Sequence, residues 1–377
     1  MAALRSLITG ELPPVGQRIS LAGPLEPPPR FPGYDIVWTA SGTAALALAI
    51  MSGRQRRNDL QHPKVLIPAY GCPDLVAAVL YAGAVPLLVD LERDGPGLDL
   101  DGIERVWDEE VIAVVAVNFL GIREQLPFIQ GRAHELRTLV IEDSAQWYPE
   151  DKLTTEAIVL SFGRGKPVNV LGGGALLLHR RGRTRIPPID GLARPLALRM
   201  RAAAFNLLIR RRPYAWASRL PLMGIGRTRF RPLAAIHSLD DRRIGRLSHS
   251  ARTRLSECRW RERLLDENLS GVPGVLCLPT VLRLRRGRLL RYPLLLAERS
   301  TRDRVLRSLI ARGLGASAFY ERPLCEISGM PAVVRRQGDC PAARSFAERL
   351  LTLPIHQSVT REQLEEIVKV VRQCAGS

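Results

Sequence analysis

Short apolar runs alternate with helical patterns through the N-terminal half of the chain. Val111–Val117 is an unbroken run of valine, isoleucine and alanine, which suits a strand buried on both faces. The expected strands are Tyr34–Thr39, Lys64–Ile67, Val85–Val89, Val111–Val117, Thr138–Ile141, Ile158–Ser161 and Ala175–His179. Between them, helices are expected at Ala40–Ser52, Cys72–Gly83 and Leu126–Glu135. This alternation predicts an α/β fold with a mostly parallel sheet covered by helices.

The C-terminal part predicts a second, smaller α+β unit. A long helix, Asp240–Asn268, leads into strands at Tyr292–Leu296 and Leu351–Leu353. Further helices are expected at Ser300–Gly313, Cys340–Leu350 and Thr360–Arg372, the last opening on a capping box. The predicted organisation is an extended, proline-rich arm (1–31), a large domain (32–231) and a small domain (239–377).

Residues 191–231, inside the predicted large domain, differ from both units. Their apolar helical stretches are broken by proline and studded with arginine, including Arg210, Arg211 and Arg212 in succession. We interpret the segment as an arginine-rich crossover between the domains. The alternative is a basic amphipathic surface that lies on an anionic membrane.

Composition narrows the class of protein. The net charge of +18 comes mostly from dispersed arginines, with no zinc-finger, helix-turn-helix or RNP-like pattern, so no specific nucleic-acid partner is expected. The six cysteines and six histidines form no metal-ligand spacing. No apolar run reaches the roughly 20 residues of a membrane-spanning helix. Glu11 and several prolines interrupt the N-terminus too early for a signal peptide, so we expect a cytoplasmic protein.

Lys166 is conspicuous because the chain has only four lysines, at positions 64, 152, 166 and 369. It lies in a turn between the strand ending at Ser161 and a glycine run at 172–174. A lysine can serve as an amine nucleophile once its pKa is lowered, whereas arginine keeps its proton. The plainer interpretation of one such residue is a solvated loop lysine.

Other polar residues follow the predicted strands, where the functional groups of parallel sheets gather. Ser41-Gly42-Thr43 opens a helix and offers amides and hydroxyls to a phosphate. Asp143 ends a buried strand and needs a partner there, either a cationic ring nitrogen or, as a helix cap, the first N–H groups of a helix at Ser144–Tyr148. A lysine, an acid and a phosphate cradle are what a pyridoxal 5'-phosphate (PLP) enzyme requires.

Several motifs, in order, resemble those of the DegT/DnrJ/StrS-type PLP-dependent sugar aminotransferases, which have fold type I. SGTAAL resembles the family's phosphate-binding helix start, and VIEDSAQ resembles the segment whose aspartate meets the pyridine nitrogen. LSFGRGK with GGGAL resembles the segment that carries the Schiff-base lysine. The matching ranges are Ser41–Leu46, Ile67–Tyr70, Gly83–Glu92, Val140–Gln146, Leu160–Lys166, Gly172–Leu176, Gly313–Leu324 and Cys340–Val368.

The resemblance implies a large domain with a mostly parallel sheet of the seven-stranded type between helices, and a smaller C-terminal α+β domain. It implies that Lys166 carries PLP as a Schiff base and transfers protons, and that Asp143 stabilises the pyridinium. It places the other cofactor contacts at Ser41, Gly42, Thr43, Tyr70, Cys72, Asn118, Gln146 and Ser161. Cys72 stands where the family has a stacking aromatic, with Tyr70 the nearest ring.

The implied reaction moves an amino group from glutamate or glutamine to a nucleotide-linked keto-sugar, in polysaccharide or cell-surface glycan biosynthesis. The resemblance also implies a homodimer in which a partner asparagine binds the phosphate. The matching stretch, Gly224–Arg229, lacks that asparagine, and Arg227 or Arg229 could replace it electrostatically.

Two alternatives remain. One is a PLP enzyme of another reaction type, although the dehydratase-type relatives have histidine in place of the lysine. The other is a non-catalytic protein of polysaccharide assembly, associated with the inner face of the membrane.

Overall fold

A computed structural model describes residues 10–20, 24–181, 189, 191–192, 198–218, 228–336 and 338–375. The first nine residues of the predicted arm lie outside this part of the chain. The stretch 224–227, where the partner asparagine was expected, also lies outside it.

A central sheet dominates the N-terminal half. The strands are β1 (Tyr34–Thr39), β2 (Lys64–Pro68), β3 (Val85–Val89), β4 (Val111–Val117), β5 (Leu139–Asp143), β6 (Ala157–Ser161), β7 (Gly174–His179) and the two-residue β10 (Arg335–Arg336). Their order in the sheet is β1-β7-β6-β5-β4-β2-β3-β10, and only β7 is antiparallel to the others. Every residue of β4 is buried, as its apolar run predicts. The predicted mostly parallel sheet of the seven-stranded type is confirmed, and the short β10 extends it.

Helices cover the central sheet. They are α1 (Gly42–Arg56), α2 (Asp74–Tyr81), α3 (Leu100–Val106) and α4 (Leu126–Leu136). The stretch Ala44–Ile50 of α1 is buried on all sides. Its small alanine side chains let α1 pack close to the strands, so alanine's high helix propensity is combined with tight packing here.

The C-terminal part contains a three-stranded antiparallel sheet with helices around it. Its strands are β8 (Val275–Cys277), β9 (Tyr292–Leu296) and β11 (Leu350–Leu353), in the order β11-β9-β8. Its helices are α7 (Asp241–Ser256), α8 (Trp260–Leu269), α9 (Leu278–Val281), α10 (Arg299–Ala311), α11 (Pro341–Arg349) and α12 (Arg361–Ala375). The capping box is confirmed, because Thr360 and Gln363 exchange two side-chain to backbone hydrogen bonds.

The single long helix expected at Asp240–Asn268 is wrong, because the chain makes two helices there. Glu257 takes an extended conformation at the end of α7. Its carboxylate pairs with Arg254, and Arg259 pairs with Glu262 at the start of α8. These pairs hold a break that no proline or glycine marks in the sequence.

The N-terminal arm has no regular secondary structure in residues 10–20 and 24–31, as expected, but it is packed against the rest of the chain. Leu12 is fully buried, and its backbone N–H donates to the carbonyl of Gly313. The arm also contacts two helices of the arginine-rich segment, α5 (Leu198–Leu208) and α6 (Arg211–Ala217). The N–H of Glu11 donates to the Arg211 carbonyl, 2.9 Å away.

Several polar contacts join the two sheet systems. The carboxylate of Asp90, after β3, accepts hydrogen bonds from the first N–H groups of α11, at Ala342 and Ala343. The backbone N–H of Leu324 donates to the Ala69 carbonyl at 2.7 Å. Arg285 forms a two-pronged ion pair with Glu92. The domain boundaries themselves stay a prediction.

In the described ranges, no helix is long and apolar enough to cross a membrane. The same ranges hold no group of three or more metal-ligand side chains, and all six cysteines are free thiols.

Candidate active site

Lys166 lies in the turn between β6 and β7, near the carboxyl end of the central sheet. Gly165, with φ of 75°, makes the turn, and the Lys166 backbone N–H donates to the carbonyl of Gly163. The lysine side chain is half-buried and lines a cavity of about 230 Å³. The simple solvated-loop interpretation therefore does not describe it.

The cavity brings together loops from four places in the chain. They are the start of α1, the loop before α2, the end of β5 and the β6–β7 connection. The lining residues are Ser41, Gly42, Thr43, Leu46, Cys72, Asp74, Leu75, Asp143, Ala145, Ser161, Gly163, Lys166, Gly172 and Gly173. Seven of the ten predicted site residues are among them.

The start of α1 forms one wall of this cavity. Ser41 caps the helix by accepting a hydrogen bond from the N–H of Ala44 at 3.1 Å. Gly42 touches Ser161 so closely that an added Cβ would lie 2.7 Å from the Ser161 Cβ. The free amides and partial positive charge of a helix N-terminus favour an anion at this wall.

Asp143 lies on the cavity wall at the end of β5. Burial raises the pKa of its carboxyl group, against the opposing effects of the N–H of Ala145 and the charge of Lys166. The Ala145 N–H donates to one carboxylate oxygen at 2.9 Å. A buried carboxylate gains most from a cationic hydrogen-bond donor, and a protonated ring nitrogen is such a donor.

Cys72 and Asp74 line the side of the cavity formed by the loop before α2. Burial raises the pKa of the Cys72 thiol to about 11, so the group stays neutral, and it is hydrogen-bonded to the Tyr320 side chain. Asp74 accepts a hydrogen bond from the Thr43 hydroxyl at 2.9 Å. Sequence reasoning missed Asp74, because an acid in the first turn of a helix usually only complements the helix dipole.

Three predicted site residues lie at the same edge of the sheet but do not line this cavity. The Tyr70 hydroxyl donates to the carbonyl of Tyr320 at 2.8 Å, inside a cluster of aromatic rings. The Asn118 amide donates to Glu142, at 2.8 Å, and to Ser144. The Gln146 side-chain carbonyl accepts from the N–H of Leu120. Their contact with a cofactor stays a prediction.

A second cavity, of about 530 Å³, adjoins Tyr320 on the C-terminal side. It is lined by Thr228, Arg229, Tyr320, Glu321, Arg322, Glu326, Ile327 and Ser328. Tyr320 therefore contacts Cys72 of the first cavity and also lines the second. Arg229, a residue predicted to compensate for the missing asparagine, lies here.

The residues of the first cavity fit pyridoxal phosphate. The wall at α1 provides anion donors, Asp143 provides a buried carboxylate, and Lys166 provides an amine that faces the same space. Gly172 and Gly173, with φ of 136° and 109°, form the wall where the β6–β7 connection passes close to α1. Side chains at these glycines would be strained, and the added Cβ atoms would clash with the side chains of Arg243 and Leu239 behind this wall.

The family model for the DegT/DnrJ/EryC1/StrS aminotransferase family matches residues 35–179 and 244–372. The chain belongs to this family. Family members are PLP-dependent aminotransferases of fold type I, so the expected fold, enzyme class and cofactor are confirmed. Membership also favours the enzyme over the non-catalytic alternative. The match includes every predicted site residue and omits 180–243, where the arginine-rich segment lies.

Individual relatives agree with this assignment. The UDP-N-acetyl-3-dehydro-alpha-D-glucosamine 3-aminotransferase of Acidithiobacillus ferrooxidans is 25% identical over 89% of this chain and 83% of its own. The crystal structure of DesV from S. venezuelae superposes with a TM-score of 0.66 at 22% identity, covering 100% of this chain and 94% of that chain. Helicobacter pylori PseC gives 0.67 at 16% identity, covering 99% and 95%. These structures share the fold.

Proposed function

We propose that this aminotransferase moves an amino group from glutamate or glutamine to a nucleotide-linked keto-sugar in glycan biosynthesis. The observation that carries the proposal is the convergence of Lys166, Asp143 and the start of α1 on one cavity. The substrate class is supported by the A. ferrooxidans relative, whose name specifies a UDP-linked keto-sugar.

Each residue of the cavity has a distinct task in this proposal. When bound, pyridoxal phosphate supplies an aldehyde for amines and a ring that stabilises negative charge on the substrate carbon. The ε-amine of Lys166 would hold the aldehyde and then move a proton at that carbon. The Asp143 carboxylate would accept a hydrogen bond from the ring nitrogen, and Ser41, Gly42 and Ser161 would face the phosphate.

Borohydride trapping tests the assignment of Lys166. We expect PLP-loaded protein to be yellow and to lose its colour on reduction, with the label found only on the peptide of Lys166. Lys166→Ala should abolish the label and lower turnover by at least ~10²–10⁴-fold, the usual contribution of proton transfer by a side chain. Lys152→Ala, at an exposed lysine, is the matched control. A label on another lysine would contradict the proposal.

The second cavity is the proposed place for the nucleotide-linked sugar. Arg229 and Arg322 offer charge to a diphosphate, beside the acids Glu321 and Glu326. We expect Arg322→Ala to raise the KM for the nucleotide-sugar roughly 10–150-fold, the effect of losing one charged hydrogen bond. The half-reaction with glutamate should be unchanged.

The control for this experiment is Arg93→Ala, at an exposed arginine that does not line the cavity. An equal loss in both half-reactions of Arg322→Ala would argue against this placement. Turnover of keto acids with no turnover of any nucleotide-linked keto-sugar would reject the substrate class.

A homodimer and a cytoplasmic location are further parts of the proposal. The dimer is supported by the resemblance to family members whose active sites form between subunits. Asp74, which lines the cofactor cavity, is exposed in the single chain, where a partner could cover it. Light scattering should give twice the chain mass of 41.8 kDa. A PLP-loaded, active monomer would contradict the dimer.

A further inference from the structure

The arginine-rich segment carries an unusual concentration of positive charge. Between Gly191 and Leu239 the sequence has ten arginines and no aspartate or glutamate. These ten charges are more than half of the net charge of +18. A surface of one sign over this length attracts anionic partners and repels a second copy of itself.

One stripe of α5 attaches the helix to the rest of the protein. Leu198 and Ala202 are buried, and the Asn206 amide exchanges two hydrogen bonds with the backbone of Ile19, at 2.9 and 2.8 Å. These three residues are four apart, so they lie on the same face of the helix. The face of α5 that carries these three residues therefore packs against the rest of the protein.

The opposite face of α5 is apolar and exposed. At 100° per residue, Met200, Ala204 and Leu207 lie about 140–160° from the centre of the inward stripe, and Ala203 lies about 100° from it. All four are exposed, Met200 by 73% and Leu207 by 52%. A surface helix normally presents polar residues to water on this face. Here the solvent side of the helix is apolar instead.

Arginines flank this apolar face. Arg199 lies on one side of this face and Arg201 on the other, and both side chains are exposed. In α6, Trp216 is 63% exposed while its neighbours Ala215 and Ala217 are buried. Tryptophan favours the boundary between water and lipid, and arginine pairs with lipid phosphates. The outward sides of both helices thus have the composition of an interfacial helix.

We propose that α5 and α6 dock on the surface of an anionic membrane, with Met200, Leu207 and Trp216 inserted among the headgroups. The charge of the segment selects an anionic lipid surface over a second copy of the chain. The exposed apolar face selects lipid over nucleic acid, since phosphate backbones offer it no partner. The family model does not match residues 180–243, which include this segment. The inference does not depend on the sugar substrate.

The test is co-sedimentation of the full-length, PLP-loaded protein with vesicles. We expect binding to vesicles of phosphatidylcholine and phosphatidylglycerol, 3:1, and little binding to pure phosphatidylcholine. Met200→Ser/Leu207→Ser/Trp216→Ser should weaken binding at least fivefold. Arg199→Gln/Arg201→Gln should weaken it by up to about fivefold per charge at low salt, and less at high salt. On adding anionic vesicles, the tryptophan fluorescence of the wild-type protein should shift to shorter wavelength, and Trp216→Phe should remove this shift.

Two control variants remove apolar side chains or arginines from exposed positions outside α5 and α6. Val281→Ser/Leu284→Ser removes two exposed apolar side chains, of which Leu284 is 90% exposed. Arg93→Gln/Arg307→Gln removes two exposed arginines. Both controls should bind vesicles like the wild type. The PLP absorbance and the melting temperature report whether each variant is folded.

Four outcomes overturn the proposal. The wild type stays in the supernatant with anionic vesicles, or the apolar triple variant binds as tightly as the wild type. Alternatively, the triple variant changes the oligomeric mass without lipid, which would assign the face to a second copy. Binding to polyuridylate that survives loss of the apolar residues, without vesicle binding, would assign the charge to nucleic acid. Aminotransferase activity is measured in parallel, and its presence or absence bears only on the proposed function.

Discussion

Gly42→Ala is a sharp test of how tightly the cofactor cavity is built. The added Cβ would lie 2.7 Å from the Cβ of Ser161 and 2.9 Å from its hydroxyl oxygen. Carbon atoms in contact prefer about 3.5–4.0 Å, so α1 must move by most of an ångström relative to β6. Overpacking of this kind costs about 1–3 kcal/mol. Because the displaced helix start carries the proposed phosphate donors, we expect PLP to bind at least about fivefold more weakly.

The measurement has two parts and one matched control. Urea unfolding gives the stability of the protein without cofactor, and titration followed by absorbance gives the dissociation constant for PLP. Gly131→Ala makes the same substitution inside α4, where the added Cβ meets no atom within 4 Å beyond its chain neighbours and the backbone of its own helix. It should stabilise the protein by about 0.5–1 kcal/mol and leave PLP binding unchanged. A Gly42→Ala protein with wild-type stability and PLP affinity would refute the close contact between Gly42 and Ser161.

Two further predictions concern charges near the described site and arm. Asp74→Asn should tighten PLP binding by roughly 1.4–5-fold. The reason is that it removes an exposed negative charge, hydrogen-bonded to the Thr43 hydroxyl, beside the proposed phosphate site. Unchanged or weaker binding would contradict this effect. Burial lowers the pKa of His356 from 6.5 to about 4, and its Nδ1 has no hydrogen-bond partner in the described residues, so the folded protein keeps the ring neutral. His356 then contributes about 3 kcal/mol above pH 6.5 that is lost as the pH falls toward 4. Because its Nε2 donates to the Pro13 carbonyl, the protection of the amides in residues 10–20 relative to their intrinsic exchange rates should fall over that range, and His356→Gln should flatten the response.

The strands were the most predictable part of the fold. Val85–Val89 and Val111–Val117 have the expected bounds. Val111–Val117 is buried at every residue, and a continuous apolar run of this kind has few alternatives to a buried strand. The break between α7 and α8 could not be predicted, because it is held by ion pairs that form only after folding. Sequence patterns near Glu257 give no sign of a helix end.

The sequence predicted where in the sheet the candidate site lies, but not the direction of every side chain in it. Strand ends identify the edge of the sheet where polar residues gather, which is why Asp143 and Lys166 meet at one cavity. The same rule cannot tell which way a side chain points. Tyr70 and Asn118 lie at this edge but are hydrogen-bonded to Tyr320 and Glu142. Only packing from distant parts of the chain decides that direction.

The contacts between the two sheet systems constrain how ligands can reach the cavity. A rigid-body opening of the two sheet systems would break three contacts at once. They are the hydrogen bonds from α11 to Asp90, the hydrogen bond from Leu324 to Ala69 and the ion pair of Arg285 with Glu92. At roughly 1 kcal/mol or more for each broken hydrogen bond, such an opening would be a rare event on the time scale of turnover. Exchange of substrate and product should therefore depend on small movements of side chains and loops at the cavity mouth. Cleaving the chain into separately expressed halves should yield fragments that associate again or precipitate, because each half would leave buried partners of the other exposed.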